Sequence, residues 1–413
     1  MPTLRSVQTR SAQQRRQGLP RFVRNRTQKF PQALLPILED PFDIAPLRSS
    51  QWRYSRHRHR GAAELKSTQV GGGLATLLDS GCIQDSQLPI EPPFAATEMS
   101  MNILVTGATG FIGAALVSSL AEAGHHTIRL RREPRGRDVG PTWNPETGQI
   151  HLDDALPLDA VVHLAGENIA QRWTRAAKAR IRSSRVDATR LLSEAVARLP
   201  QPPRVMVCAS ATGFYGDRAD ELLDERSQPG NGFLAEICRA WEAAADPARQ
   251  SGIRVVNLRL GIVLAKHGGA LAKMLPIFRL GLGGRLGSGG QYLSWIALDD
   301  LMRVVELALL DNRINGPFNA VSPQSPTNKE FTSSLSRALH RPAFLPVPAL
   351  FVQALFGEMG REALLASARV QPARLLEMGF SFLYPELNAA LRHLLAAGPQ
   401  NQIQEIRNRL SAP

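Results

Sequence analysis

From Asn102 onward, short apolar runs alternate with longer stretches of helical period. "NILVT" (102–106) reads as a buried strand, Ala114 to Ala123 as a helix closed by Gly124, and "HTIRL" (126–130) as a second strand. "DAVVHLAG" (159–166), "RVMVCASATGFYG" (204–216) and "RVVNLRLGIVL" (254–264) are further strands, and segments 178–199 and 233–245 between them are helical. Apolar runs bounded by small residues and separated by helices predict a parallel sheet covered on both faces. We therefore expect an α/β protein, a Rossmann-like doubly wound parallel sheet over 99–320 with a cleft loop at about 265–295. Ligands of such sheets lie beyond the carboxyl ends of the strands. Residues 321–413 are expected to form a small, mainly helical C-terminal substrate or lid domain, because "ALFVQALFGEM" (349–359) has apolar residues at helical spacing. That helix lacks the Lys and Arg face of a membrane-surface helix. No run of about 18 apolar residues suggests a span, so no membrane partner is expected.

The first hundred residues break this pattern. Residues 1–38 carry seven arginines and Lys29 but no acid, and residues 1–66 hold fourteen Lys and Arg against four acids. This head supplies +10 of the formal charge of +13, so the basic balance does not describe the whole 413-residue chain. Its Gln, Ser and Pro content shows no amphipathic period. We read residues 1–98 as a disordered or non-native basic extension. A transit peptide has the same acid-poor look, which keeps an organellar location beside the cytoplasmic one. A nucleic-acid arm also fits the charge, but nucleic acid is not the expected partner. Met99 and Met101 precede the first strand, where a folded domain begins naturally. Cys82, Cys208 and Cys238 form no CxxC pair and are odd in number, so reduced thiols are expected, with neither disulfides nor zinc.

The candidate chemistry begins at Gly107, Gly110 and Gly113, spaced GxxGxxG between the first strand and helix. The first glycine permits a tight turn, the second a close approach of backbone to a pyrophosphate, the third packing of helix on strand. Phosphates then rest on free N–H groups at the helix N-terminus, so Thr109, Phe111 and Ile112 join the glycines as cofactor-binding candidates. At the end of the second strand, where NAD sites place an acid, stand Arg131 and Arg132. A guanidinium pairs with a 2′-phosphate, which favours NADP(H). Ala165 and Gly166 end another strand and let backbone pass close to the cofactor. No His, Cys and acid spacing suggests a metal.

"TGATGFIG" (106–113), "HLAGENI" (163–169), "SATGFYG" (210–216) and "WIALDDL" (295–301) occur in this order. The set resembles the extended and atypical short-chain dehydrogenase/reductases of the NAD-dependent epimerase/dehydratase type. "AGENIAQRW" (165–173), "RLGIVLAKHGGAL" (259–271) and "FRLGLGGRLGSGGQYLSWI" (278–296) bring it nearest to an uncharacterised "epimerase family protein" subgroup. The tail 344–391 is similar to that subgroup's C-terminal domain of unknown function. The resemblance implies cofactor roles for the glycine loop, Arg131, Arg132, Leu164 and Ala165. It adds Arg185 as a candidate, although a helix arginine is more often a surface residue.

Most members of the wider superfamily use a Tyr-x-x-x-Lys pair, one helical turn apart, to move the substrate proton. Here Arg58, Ala219, Ile296 and Asn388 stand four residues after Tyr54, Tyr215, Tyr292 and Tyr384, so no pair exists. Phe233 and Ile237, or their neighbours, take those places. Ser210, at a strand end, is the expected substrate-orienting hydroxyl and Tyr215 a candidate proton donor, with a packing role for Tyr215 favoured. Glu167 and Asn168 lie in the region of substrate contact, while His163, within an apolar strand, reads as a satisfied core histidine. Arg279 and Arg285 either meet an anionic substrate group or sit on a flexible surface connection. The expected function is an NADP(H)-dependent oxidoreductase or epimerase acting on a small molecule, nucleotide-sugar-like or carbonyl. The competing expectation is a non-catalytic NADP-binding sensor or interaction protein.

Overall fold

The computed structural model describes residues 100–132, 140–152 and 157–396. The expected extension 1–98 lies outside the described residues. Eight strands form the main sheet: β1 (Asn102–Thr106), β2 (His126–Arg132), β3 (Thr142–Asn144), β4 (Gln149–His151), β5 (Ala160–His163), β6 (Val205–Ala211), β7 (Arg254–Leu260) and β8 (Gly316–Ala320). Their spatial order is β8-β7-β6-β5-β1-β2-β3-β4, and every neighbouring pair is parallel except β3 with β4. The run β3-β2-β1-β5-β6-β7 is the doubly wound order, and its direction of winding reverses between β1 and β5. A ligand crevice belongs at that reversal, beyond Thr106 and His163.

Period-two alternation sorts the strand side chains between two cores. Ile103 and Val105 pack on one face with Leu116 and Leu120 of α1 (Phe111–Glu122) and with Val304 and Val305. Leu104, Val161, Met206 and Cys208 face the other way, against Leu192 and Val196 of α3 (Val186–Ala197). A shorter helix, α2 (Arg175–Ser183), precedes it. The single helix expected over 178–199 is thus two, broken where Arg185 leaves the helical path at φ −105° and its side chain bonds the Ile181 carbonyl at 3.3 Å. The strand expected over 254–264 is also divided. At Gly261 a Cβ would lie 2.7 Å from the Ser294 carbonyl oxygen, and Ile262 N–H donates to that oxygen at 2.8 Å. The chain there leaves the main sheet, and Ile262–Leu264 pairs with Trp295–Ala297.

The helix that follows β6 is α4 (Phe233–Ala243), which buries Ala235, Ile237, Cys238 and Trp241. The segment expected as a cleft loop contains a helix, α5 (Gly269–Arg279), because Leu271, Leu275 and Phe278 recur at helical spacing and are buried. They join Trp295, Phe331, Leu335, Leu387 and Leu391 in a third core. The C-terminal segment is held to the sheet by polar bonds as well. The Asp300 carboxylate accepts from Leu383 N–H (2.7 Å) and Tyr384 N–H (2.9 Å), and Arg374 Nη1 donates to the Asn315 and Pro317 carbonyls, both at 2.8 Å. One helix packs lightly. In α6 (Ala349–Phe356) only Val352 is buried.

Candidate functional site

The turn between β1 and α1 shows why the three glycines stand where they do. Gly107 has φ +67°, and a Cβ there would come within 2.9 Å of the Leu164 carbonyl and the Ala165 nitrogen. The turn therefore lies directly on the end of β5. Gly110 N–H closes it on the Gly107 carbonyl at 2.9 Å. A Cβ at Gly113 would overlap the Gly107 carbonyl oxygen and lie 2.8 Å from its carbon, so only glycine lets α1 start this close to the strand. Helix α1 has no side-chain cap and no acid in its first turn. Its first helical bond runs from Ala114 N–H to Gly110 O at 2.9 Å. The amides of Phe111, Ile112 and Gly113 thus have no acceptor within the helix. Thr109 and Gly110 are exposed beside them. The Phe111 ring packs over the Gly268–Gly269 pair, where a Cβ at Gly269 would be 3.0 Å from the ring.

Beneath the turn, one hydrogen-bonded chain fixes the ends of β1 and β5. Thr106 Oγ1 accepts from the amides of Leu164 and Ala165, both at 3.2 Å, and meets His163 Nδ1 at 2.7 Å. With both lone pairs taken, the Thr106 hydroxyl donates to Nδ1, which places the ring proton on Nε2. Nε2 then donates to Thr189 Oγ1 at 2.9 Å, which also accepts from Trp241 Nε1 at 2.9 Å. Burial, with Arg185 nearby, pushes the His163 pKa down to about 4, so the ring is neutral. Its position is that of a satisfied core histidine.

Arg131 and Arg132 end β2, both exposed, opposite Thr142 and Trp143 of β3. Arg185 is half-buried instead. Nη1 donates to the Glu167 carbonyl at 3.0 Å, the guanidinium lies 5.0 Å from the Trp241 ring, and a Cβ at Gly166 would be 3.3 Å from Cζ. It braces the loop after β5 from below. Burial lowers its pKa against the opposing pull of Cys238 and Glu167. The Glu167 side chain accepts from Gln171 Nε2 at 3.2 Å, and Asn168 Oδ1 accepts from Ala170 N–H at 2.9 Å.

Ser210 and Tyr215 lie apart from this turn, in an internal network. Ser210 is buried and donates to Glu242 Oε1 at 2.7 Å. Alternation along β6 explains this, since Ser210 follows Cys208 on the face covered by α4. Arg259 binds the same carboxylate twice, Nε to Oε1 at 2.9 Å and Nη2 to Oε2 at 3.0 Å. It also donates to the Tyr215 hydroxyl at 3.0 Å and lies 3.5 Å over the Phe214 ring. Tyr215, with no exposed surface, donates to Asn319 Oδ1 at 2.7 Å, and Asn319 N–H donates to Glu225 at 3.0 Å. Burial pushes the Tyr215 pKa up to about 12 despite Arg259. A phenol so placed is a poor donor near neutral pH, and the geometry is that of the packing role.

The N-terminus of α4 is where Phe233, Ile237 or their neighbours are expected in place of the Tyr and Lys pair. Ile237 is buried. Phe233 lies 5.0 Å from the Trp173 ring and under Lys178 Nζ at 4.7 Å. Gly232 has φ +101°, and the Glu362 carboxylate accepts from Leu234 N–H at 3.2 Å. Lys178 pairs with Glu358, and Arg172 donates to the Ala354 and Leu355 carbonyls at 3.5 Å. The loop after β5 and the C-terminal segment therefore meet at the start of α4. Sequence reasoning missed Glu362 and Glu358, because no local pattern links them to residues over a hundred positions earlier. It also passed over Thr212, half-buried in the turn that follows β6. Among the described residues no cluster of His, Cys or acids is arranged to hold a metal.

Residues 103–320 match the NAD dependent epimerase/dehydratase family, and residues 347–394 match a domain of unknown function, DUF1731. An epimerase family protein of Mycobacterium bovis is 42% identical over 290 residues, 70% of this chain and 96% of the relative. The crystal structure of human epimerase family protein SDR39U1 (isoform 2) with NADPH is 39% identical, with a TM-score of 0.64 over 71% of this chain and 99% of that one. A nucleoside-diphosphate sugar epimerase from Corynebacterium glutamicum is 36% identical, with a TM-score of 0.60 over 76% of this chain and 63% of that one. The chain belongs to the NAD dependent epimerase/dehydratase family, in the branch that carries a DUF1731 domain after the nucleotide-binding sheet.

Proposed function

We propose that this protein binds NADP(H) at the β1–α1 turn and transfers hydride between its nicotinamide and a small carbonyl or nucleotide-sugar-like substrate. The observation that carries the reading is the glycine turn itself. It presses onto the end of β5 at the reversal of the sheet and leaves three helix amides open for a pyrophosphate. Arg131 and Arg132 at the end of β2 would hold the 2′-phosphate, and the NADPH in the human relative supports that choice. Leu164, Ala165 and Gly166 would line the opposite wall, with Arg185 supporting them through Glu167. Ser210 and Tyr215 stay in the internal network, and Thr212, half-buried in the turn after β6, would be the hydroxyl that faces substrate.

Calorimetric titration of the whole protein with NADPH and NADH tests this. We expect NADPH to bind at least tenfold more tightly, and Arg131→Ala with Arg132→Ala to abolish the difference, since charge-assisted pairs contribute about 1.5–3 kcal/mol. NADH binding as tight as NADPH would overturn the cofactor assignment. A second reading, a non-catalytic NADP(H) sensor, is favoured by Phe233 and Ile237 in place of the proton-transfer pair. Tight NADPH binding with no oxidation by any member of a carbonyl library would decide for it.

A further inference from the structure

Nine large apolar side chains are strongly exposed among the described residues, and six of them gather in one region. Leu280 (67%), Leu282 (42%), Phe344 (73%), Leu345 (43%), Leu350 (79%) and Phe351 (56%) come from two stretches far apart in sequence, 280–282 and 344–351. Backbone contacts bring the two side by side. Val347 N–H donates to Arg285 O at 2.9 Å, Gly287 N–H donates to Val347 O at 2.8 Å, and a Cβ at Gly281 would be 3.4 Å from Pro342. Helix α6, which carries Leu350 and Phe351, follows at once and packs by Val352 alone. Soluble proteins rarely leave such a set together without a partner.

The stretches that carry this patch are basic, although Glu330 is exposed next to Lys329. Residues 265–291 and 340–357 contain no acid. Arg279, Arg285 and Arg341 are exposed beside the apolar tips, as is Lys329, whose Cβ lies 3.2 Å from the Cβ position of Gly289, next to Arg285. None of these four cations has an ion pair among the described residues. Self-association through the patch would set cations against cations. Its apolar residues project from two loops and a short helix. Helix α6 by itself has no basic face, but folding supplies one from the neighbouring loops. Projecting apolar tips with a basic rim match an anionic lipid surface, where the apolar groups enter the headgroup boundary and the cations meet acidic lipids.

We propose that this face docks the protein peripherally on anionic membranes. Among the described residues no helix is long and apolar enough to cross one, so the contact is with the surface. The test is flotation of the full chain with phosphatidylcholine vesicles, with and without phosphatidylglycerol. One variant combines Phe344→Ser, Leu350→Ser and Phe351→Ser, and a second combines Arg279→Gln, Arg285→Gln and Arg341→Gln. All forms keep the basic residues 1–66, so binding due to that head is common to them. The wild type should float with anionic vesicles, and each triple variant should lose roughly tenfold or more in partitioning, with NADPH affinity unchanged as a check on folding. Equal flotation of variants and wild type, or none by the wild type, would overturn the proposal. So would a wild-type dimer that the apolar variant turns into a monomer, since the face would then be a contact between copies.

Discussion

Arg259 is the centre on which the internal network can be tested. Its guanidinium is almost wholly buried and makes two bonds to Glu242, at 2.9 and 3.0 Å, and one to Tyr215, at 3.0 Å. Arg259→Met fills much the same volume but leaves the Glu242 carboxylate with Ser210 as its bonded partner. Breaking a buried pair from one side costs about 3–5 kcal/mol, because a desolvated charge is left uncompensated. Glu242→Leu should cost a similar amount for the opposite charge. The double variant removes both charges and should be far less destabilised than the sum, with a coupling of roughly 2–3 kcal/mol. Urea unfolding monitored by tryptophan fluorescence gives these values, provided the slope with denaturant is unchanged between variants. A cost under about 1 kcal/mol for Arg259→Met, or simple additivity in the double variant, would refute a buried, mutually dependent pair. It would also reopen a chemical role for Ser210 and Tyr215, whose hydroxyls this network engages.

Three further outcomes follow from the geometry. Gly113→Ala should destabilise the protein by about 1–3 kcal/mol despite the better helix propensity of alanine, since the new methyl meets backbone that cannot turn aside; thermal unfolding measures it, and a neutral substitution would contradict the close approach. His163 should make stability fall on acidification. Its pKa is held at about 4 when folded, against 6.5 otherwise, so the unfolded chain binds the extra proton and the contribution is lost as pH falls from about 6.5 through 4. Glu225 and Asp300, raised by burial, act in the opposite sense, so the wild type should be compared with His163→Gln across that window; parallel curves would exclude the effect. Cys208 and Cys238 are buried, and burial pushes both thiols up to about 12; mass mapping after alkylation should find them unmodified in the native protein and modified in denaturant, and prompt native labelling at either would contradict the packing.

How much of this was legible beforehand depends on the distance over which each feature is decided. The glycine turn is local. Its spacing and the apolar strand before it announce φ at Gly107 and the contact at Gly113, and the structure holds both. The parallel sheet follows from alternation, because each helix must recross the sheet, whereas the strand order comes from the structure. Strands β3 and β4 were missed, since three-residue strands have too few positions to display a period. The departure of the chain at Gly261 depends on the Ser294 carbonyl, which no local pattern reveals. Ser210 shows the limit most sharply. Its place at a strand end reads as substrate-facing, yet its side of the sheet is set by the same alternation that buries Cys208, and its hydroxyl goes to Glu242, whose carboxylate Arg259 holds from another element. The loop after β5, the start of α4 and the C-terminal segment converge at a separate place. The residues there, Lys178, Glu358 and Glu362, are ones that only folding assembles.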